Sequence, residues 1–572
     1  MAAAVTIRRM TPTIAAVVID DPTRSLNVLS PEVLAELAEA LATIAADVKL
    51  EGLIIASTKP SGFLAGADIG SFSTRLAEPG IDAAGLCRQG QALFGQLAKL
   101  PLVTVAAVHG PCLGGGMELA IWCDRRIAAD LPHTQLGFPE AKLGLCPGWG
   151  GTARTPRMIG LANAVELITT GEPVSATAAF RLGLVDDVIP RSTPPEKLAD
   201  ELLAAAVRMI VAERASGQYL RDRQRWSQPI AQSETELMFL GATAGAMIQQ
   251  KTGGHYPAPA ATLELMLEAA SADLPSACEL EAERFATLFG TSVNRALLNV
   301  FHLQQRTKQP LAATQSGAHP SRQSTADSRR PTVAILGAGT MGRGIAAANV
   351  RRGHRTLLAD TRPDALTAAI PAILREAAYD KEAKGPTLEK TTAAAALLTR
   401  VDTDAQLGSA DMVVEAIVEE LAAKHALYER LEAVVTPQTI LCSNTSTLPI
   451  TRLAAKLKHP ERFCGLHFFN PVRKMQLVEV IRGEQTSDET LAMVTSYARA
   501  LGKTPVVVRD SPGFLVNRLL MPYMNEALVL LTEGVPIKAI ESAAKAFGMP
   551  MGPLTLHDVV GLDICQHAGR VL

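Results

Sequence analysis

The sequence predicts an α/β multidomain chain, and three observations carry that expectation. Short apolar, β-branched runs alternate with amphipathic stretches from the N-terminus through Ala129, the pattern of stacked βα units. Two glycine-rich segments, GGG at Gly114–Gly116 and GAGTMG at Gly337–Gly342, each follow an apolar run and open a helical one. Between them lies QPLAATQSGAHPSRQSTADSRR, residues 309–330, which is polar, small and proline-bearing with no apolar period, and reads as a linker. At 572 residues the chain is too long for one core and implies about three or four domains.

Composition narrows the function classes. Hydrophobic residues make up 48% and charged residues 20%, which is ordinary globular composition rather than a disordered one. The net charge is −2 with no long basic run, so nothing marks a nucleic-acid surface. Eight cysteines are scattered without CxxC pairs or His/Cys clusters. That argues against zinc and against a disulfide framework, and it fits a reducing cytoplasm. The N-terminal MAAAVTIRRMTPTIAAVVID runs almost directly into strand-like sequence and leaves no room for a targeting peptide. The most apolar stretch, Leu102–Cys123, contains Pro111, the glycine triplet and Glu118, and is a poor membrane span.

In chain order, strands are expected near Val5–Arg9 and Ile14–Ile19, then a turn at Asp21–Arg24. A helix should run from Pro31, capped by Ser30, to about Asp47, followed by a strand at Gly52–Ser57. The run Leu102–Val108 reads as a buried strand that Gly114–Gly116 break, with a helix beginning near Met117. Glycines let backbone N–H groups approach a ligand, and a helix N-terminus adds partial positive charge there, which suits an oxyanion formed at a carbonyl. Glu118 sits at the start of that helix in apolar company, where desolvation would raise its pKa. Glu140 follows a proline at an expected strand end and precedes a second glycine-rich loop, Gly148–Gly151. Two carboxylates beside an anion-stabilising turn suit the addition of water to a polarised double bond, one as base and one handling the proton at the neighbouring carbon.

The segment His109–Gly151, with SGFLAGADIG at Ser61–Gly70, resembles the signature of the crotonase (enoyl-CoA hydratase/isomerase) superfamily. The resemblance implies a ββα spiral core. It also implies that the N–H groups of Ala67, flanked by Gly66, and of Gly115 hold a thioester oxygen. Both glutamates of the hydratase members are present as Glu118 and Glu140, which favours hydration over the superfamily's other chemistries. By the same resemblance, Arg24 and Lys59 fall where basic residues meet the phosphates of coenzyme A. Residues 1–190 are assigned to this core and 191–308 to a helical extension. The helix near Ser292–Lys308 resembles the linker helix of fused β-oxidation enzymes, with Gln304 or Gln305 where that family has an acid.

After the linker, Thr332–Leu336 is a short strand, GAGTMG opens a helix, and the strand Arg355–Ala359 ends in Asp360, 23 residues past Gly337. In this order the spacing is the dinucleotide-binding fingerprint: Gly337 for the tight turn, Gly339 for approach of the pyrophosphate, Gly342 for close helix packing. Asp360 would accept from the ribose hydroxyls and repel a 2′-phosphate, so NAD is the expected cofactor. Farther on, oxidation of a secondary alcohol needs a base for the hydroxyl proton. His467 held by a carboxylate such as Glu479 suits that role, with Ser446 and Asn517 binding the oxygen and Asn470 ordering the site.

The motifs DMVVEAIVEE, CSNTSTLPI, GLHFFNPV, LVEVI and DSPGFLVNRLL together resemble the L-3-hydroxyacyl-CoA dehydrogenase family. The resemblance places Met341, Asp360, Ile417, Val418, Glu419, Lys424 and Asn470 at NAD or the adjoining substrate. It makes 331–509 a Rossmann NAD-binding domain and 510–572 part of an all-helical C-terminal domain. That domain continues in the family beyond the position of Leu572, so an uncovered apolar face is expected on it. Both halves in this order resemble the α-subunits of the fatty-acid oxidation complex. This implies hydration of 2-enoyl-CoA, NAD-dependent oxidation of the product, an enoyl-CoA isomerase side activity, no metal, and a thiolase β-subunit as partner in a heterotetramer. Two other readings stay open: a crotonase with only isomerase or hydrolase activity, or a second half that serves as an NAD-binding or thiolase-assembly module.

Overall fold

The structure is a computed structural model and describes residues 3–75, 80–308, 330–380, 383–562, 565, 566 and 569. The expected linker at 309–330 lies outside the described residues except for Arg330. The chain forms two compact units, Met1–Phe301 and His302–Leu572.

The first unit is built on a six-stranded sheet of β1 (Val5–Thr11), β2 (Ile14–Ile19), β3 (Gly52–Ser57), β4 (Val103–Val108), β5 (Arg125–Ala129) and β6 (Asp187–Ile189), in that order. β1 pairs antiparallel with β2, and every later pair is parallel. Such strands are covered on both faces, and their continuous apolar sequence shows it. In β2, Ala15, Val17 and Ile19 enter one core, while Ile14, Ala16 and Val18 enter the other. The helix Pro195–Ser216 covers the second face through Leu202, Ala205, Ala206 and Ile210. Ser30 caps the helix Pro31–Ala46 by accepting the Val33 N–H.

A second layer consists of short bridges: Leu29 with Ala67, Leu64 with Cys112, Pro111–Leu113 with Gln135–Gly137, and Leu136 with Val174. β3, β4 and β5 are thus each followed by a short segment paired to the one after the preceding strand, the repeating ββα spiral. Two expected boundaries shift. The helix after the glycine triplet begins at Gly115 rather than Met117, because Gly114 with φ of 51° makes the turn. Glu140 stands in a 3₁₀ turn, Pro139–Leu143, that Gly144 ends in the left-handed conformation.

The second unit carries an eight-stranded sheet: β7 (Val333–Leu336), β8 (Thr356–Ala359), β9 (Leu398–Arg400), β10 (Met412–Glu415), β11 (Ile440–Ser443), β12 (Phe463–Phe468), β13 (Leu477–Arg482) and β14 (Thr504–Arg509). Their spatial order is β9-β8-β7-β10-β11-β12-β13-β14, with only β12 and β13 antiparallel. The order reverses between β7 and β10, which opens a crevice at their carboxyl ends. Helices Val516–Thr532, Ile537–Phe547 and Pro553–Val560 follow, and they leave Leu519, Ile537 and Phe547 largely exposed. No helix among the described residues is long and apolar enough to cross a membrane.

Candidate active sites

A cavity of about 400 Å³ in the first unit is lined by Ala67, Gly115, Glu118, Glu140, Trp149 and Phe285. It lies where the second layer meets the glycine triplet. Leu29 N–H donates to the Gly66 carbonyl and Asp68 N–H to the Leu29 carbonyl, which leaves the intervening Ala67 N–H out of that pairing. Gly115 is the first helical residue, so its N–H has no acceptor within the helix. A Cβ on Gly115 would stand 3.4 Å from Ala67 N and 2.6 Å from the Trp149 ring, so the two donors are neighbours and only glycine fits between them. Gly114 is equally close to the acid, since its Cβ would fall 2.8 Å from Glu140 Oε1.

The two glutamates differ in their partners. Glu118 Oε1 accepts the N–H groups of Trp149 at 2.6 Å and Gly151 at 2.9 Å. Glu140 Oε2 is buried with no hydrogen-bond partner among the described residues. Burial, then the charges of Glu281 and Glu140, push the Glu118 carboxyl up against those two N–H groups. Burial, with the charge of Glu281 adding to it, pushes Glu140 to about 8. Within the pair, the two N–H donors favour the charged form of Glu118, and the Oε2 of Glu140 has no such donor among the described residues.

Glu281 is absent from the sequence reading. It lies fully buried on the helix Leu274–Leu288, in the stretch assigned to the helical extension. Its Oε1 accepts the Gly150 N–H at 2.6 Å, and its Oε2 accepts the Thr152 N–H at 2.7 Å and hydroxyl at 2.5 Å. Phe285 of the same helix and Leu298 complete the cavity wall. The helical extension therefore closes the site, and only a buried acid within an amphipathic helix hinted at it.

Lys59, expected beside coenzyme A phosphates, faces inward. Its Nζ donates to the carbonyls of Asp21 and Arg24 at 2.7 and 2.9 Å and pairs with Asp20. It holds the turn that carries Arg24, whose half-exposed guanidinium pairs with Asp68 at 2.9 Å, one residue from Ala67.

In the second unit, the Gly337 N–H donates to the Ala359 carbonyl, and Asp360 Oδ2 accepts the Ala338 N–H at 2.7 Å. The acid at the end of β8 is thereby tied to the glycine turn at the end of β7. A Cβ on Gly342 would lie 1.8 Å from the Gly337 carbonyl oxygen, whereas one on Gly339 would meet nothing within 4 Å. Space at the second glycine and closeness at the third are what a bound dinucleotide needs. Met341 packs on the core below, and Ile417, Val418 and Glu419 form the turn after β10 across the crevice. Lys424 is fully buried, with its ammonium on Glu415 and 3.4 Å from Glu419. Burial pushes the Glu419 carboxyl up, but the Lys424 charge, the Thr445 hydroxyl and the N–H groups of Ser446 and Thr447 outweigh it and hold it below the usual range.

His467 and Glu479 face each other across β12 and β13, and Nδ1 lies 2.7 Å from Glu479 Oε2. Glu479 Oε1 accepts the N–H groups of Leu515 and Val516, both at 2.9 Å. Burial raises the Glu479 carboxyl, yet the His467 bond and these donors prevail and keep it below the usual range. An ionised Glu479 fixes the proton of the neutral ring on Nδ1 and leaves Nε2 as the basic nitrogen. Phe469 packs against the ring with centroids 4.5 Å apart. Asn517 Nδ2 donates to the Ser446 carbonyl at 3.2 Å, which joins those two residues, and Asn470 is exposed just after β12.

The family model for enoyl-CoA hydratase/isomerase matches residues 9–251. The models for the NAD binding domain and the C-terminal domain of 3-hydroxyacyl-CoA dehydrogenase match residues 332–511 and 513–572. The fatty acid oxidation complex subunit alpha of Vibrio vulnificus is 38% identical over 556 residues, which covers 96% of this chain and 74% of that one. The subunit of the same name from Shewanella amazonensis is 38% identical over 572 residues, covering 98% and 76%. That of Vibrio cholerae is 38% identical over 555 residues, covering 96% and 75%. With both site-bearing units matched in order, the chain belongs to the fatty acid oxidation complex subunit alpha family.

Proposed function

We propose that the two units catalyse successive steps of fatty-acid β-oxidation through the residues described above. The first unit adds water to a 2-enoyl-CoA thioester to give the L-3-hydroxyacyl-CoA. The second oxidises that alcohol to the 3-ketoacyl-CoA with NAD. The observation that carries the hydratase reading is the unequal pair, one carboxylate fixed by two N–H groups and one buried acid with an unpartnered oxygen. Glu118 takes a proton from water as its oxygen adds at C3, and Glu140 supplies the proton to C2. The N–H groups of Ala67 and Gly115 hold the thioester oxygen as it gains charge. The same pair can move a proton between carbons, which gives a 3-enoyl to 2-enoyl isomerase activity. Arg24, held out by Lys59, is the contact for a coenzyme A phosphate.

At the second site, Gly337, Gly339, Gly342 and Asp360 hold NAD, with Met341, Ile417, Val418 and Glu419 around it. NAD supplies the hydride acceptor. His467 Nε2 takes the hydroxyl proton, and Glu479 stabilises the imidazolium that results. Ser446 and Asn517 bind the substrate oxygen, Asn470 orders the site, and Lys424 acts through Glu419. The 3-ketoacyl-CoA product is a thiolase substrate, and a thiolase β-subunit is the proposed partner within a heterotetramer.

The test is a coupled assay with crotonyl-CoA and NAD on the full chain, following enoyl absorbance and NADH separately. Both signals are expected. Loss of enoyl absorbance without NADH would overturn the dehydrogenase half, and neither signal would overturn the two-glutamate mechanism.

A further inference from the structure

The turn Trp149–Thr152 presents four consecutive backbone N–H groups, and they alternate between two carboxylates. Those of Trp149 and Gly151 go to Glu118 Oε1, while those of Gly150 and Thr152 go to the two oxygens of Glu281. Glu281 also takes the Thr152 hydroxyl and a longer bond from Gln91 Nε2 at 3.2 Å. The same four-residue turn is thus held on Glu281 and holds Glu118 Oε1. Glu118 Oε1 is fully committed, and Oε2 is the oxygen left without a partner among the described residues.

We propose that Glu281 is a positioning residue of the hydration site: it clamps the Trp149–Thr152 turn so that Glu118 holds one oxygen fixed and offers the other to water. This rests on the hydratase reading of the Glu118–Glu140 pair. Burial pushes the Glu281 carboxyl up, while the Thr152 hydroxyl, the N–H groups of Gly150 and Thr152 and the Gln91 amide oppose that rise; of the three carboxyls it has the most donors favouring its charged form. Among the described residues no lysine, arginine or histidine pairs with it. The groups facing it are Glu118, Glu140 and the thiols of Cys87, Cys146 and Cys278, all of which feel it as a like charge. The thiols are pushed up and neutral, so the effect falls on the catalytic pair. When ionised, Glu281 makes both glutamates hold a proton to higher pH.

Glu281→Gln tests this in the full chain. The amide keeps the volume but turns an N–H donor toward the turn's own N–H groups and removes the charge. Hydration of crotonyl-CoA should fall about 10²-fold in kcat with little change in KM. Both limbs of the kcat/KM pH profile should move to lower pH by roughly one unit. Oxidation of supplied 3-hydroxybutyryl-CoA by the second unit should stay at the wild-type rate. Trp122, Trp149 and Trp226 all lie in the first unit, so tryptophan fluorescence reports its folding separately. Glu281→Asp, which keeps the charge, should hold the pH limbs in place. Should Glu281→Gln fail to fold, Thr152→Val removes one bond of the clamp with little change of shape and with the charge kept, and should lower kcat for hydration while the limbs stay in place. Wild-type kcat in Glu281→Gln, or a lowered kcat with unmoved limbs, would overturn the proposal. Wild-type kcat in Thr152→Val would do the same. Failure of the wild-type chain to hydrate crotonyl-CoA would overturn the hydratase reading itself, a distinct result.

Discussion

Two glutamates with unlike surroundings dominate at the scale of single residues. Glu140 is held to about 8, above the ordinary glutamate value of 4.5. Between those values the unfolded chain has released this proton and the folded chain keeps it. The folded state therefore binds more protons, and its stability falls as pH rises through that window. Glu140→Gln should remove the penalty, stabilising the first unit at pH 8 by on the order of 1–3 kcal/mol, with the gain vanishing toward pH 5. The same variant should lose hydration by about 10²–10⁴-fold. Thermal unfolding by tryptophan fluorescence at both pH values, beside the enoyl-CoA assay, checks the pair of effects; a variant less stable at pH 8 contradicts the assignment. At the second site the opposite logic holds. Glu479 is ionised and satisfied, so His467→Gln should slow alcohol oxidation by about 10²–10⁴-fold while NAD affinity, read by fluorescence titration, stays within about two-fold.

At the scale of elements, the glycine turns separate fit from function. The helix Thr340–Arg351 packs against β7 only because Gly342 carries no Cβ, which would sit 1.8 Å from a backbone oxygen. Gly342→Ala should lower the melting temperature of the second unit and abolish NAD binding. Gly339→Ala has open space and should fold normally, yet bind NAD more weakly by about tenfold or more, since the added methyl occupies the path of the pyrophosphate. Calorimetry and NAD titration of both variants distinguish the two roles; equal loss of stability would show that Gly339 is a packing residue. The antiparallel pair β12 and β13 likewise explains the His467–Glu479 pair. Its register sets His467 opposite Glu479, and β-pairing holds the two side chains on one face.

At the scale of the whole molecule, two units carry two complete sets of groups, so their chemistry should be separable. Glu118→Gln should stop hydration and leave oxidation of added 3-hydroxyacyl-CoA untouched. His467→Gln should give the reverse pattern in the coupled assay. Loss of both activities from either change would contradict independent sites. The helices after Asp510 expose Leu519, Ile537 and Phe547, the last at 87%. An apolar face of this kind should bind a hydrophobic dye, with Phe547→Ser lowering the signal.

Much of both sites is legible in contiguous sequence. The glycine triplet with Glu118, the GAGTMG turn with Asp360, and the strands bearing His467 and Glu479 are local patterns, because backbone conformation at a turn or along a strand is decided by neighbours in the chain. What the sequence by itself determined was therefore the order of the units, their chemistry and the acids and base proposed to perform it. Tertiary structure alone decided three things. It sent the Lys59 ammonium inward to brace a turn and enclosed Lys424 behind Glu419, since a lysine's reach does not say which acceptors will surround it. It split the work of Glu118 and Glu140 by giving one two N–H donors and leaving the other an unpartnered oxygen. And it brought Glu281, on a helix whose periodicity marks a buried face without saying against what, onto the turn that holds Glu118. A proton's affinity for a carboxyl depends on burial and donors gathered from distant segments, and those exist only once the chain has packed.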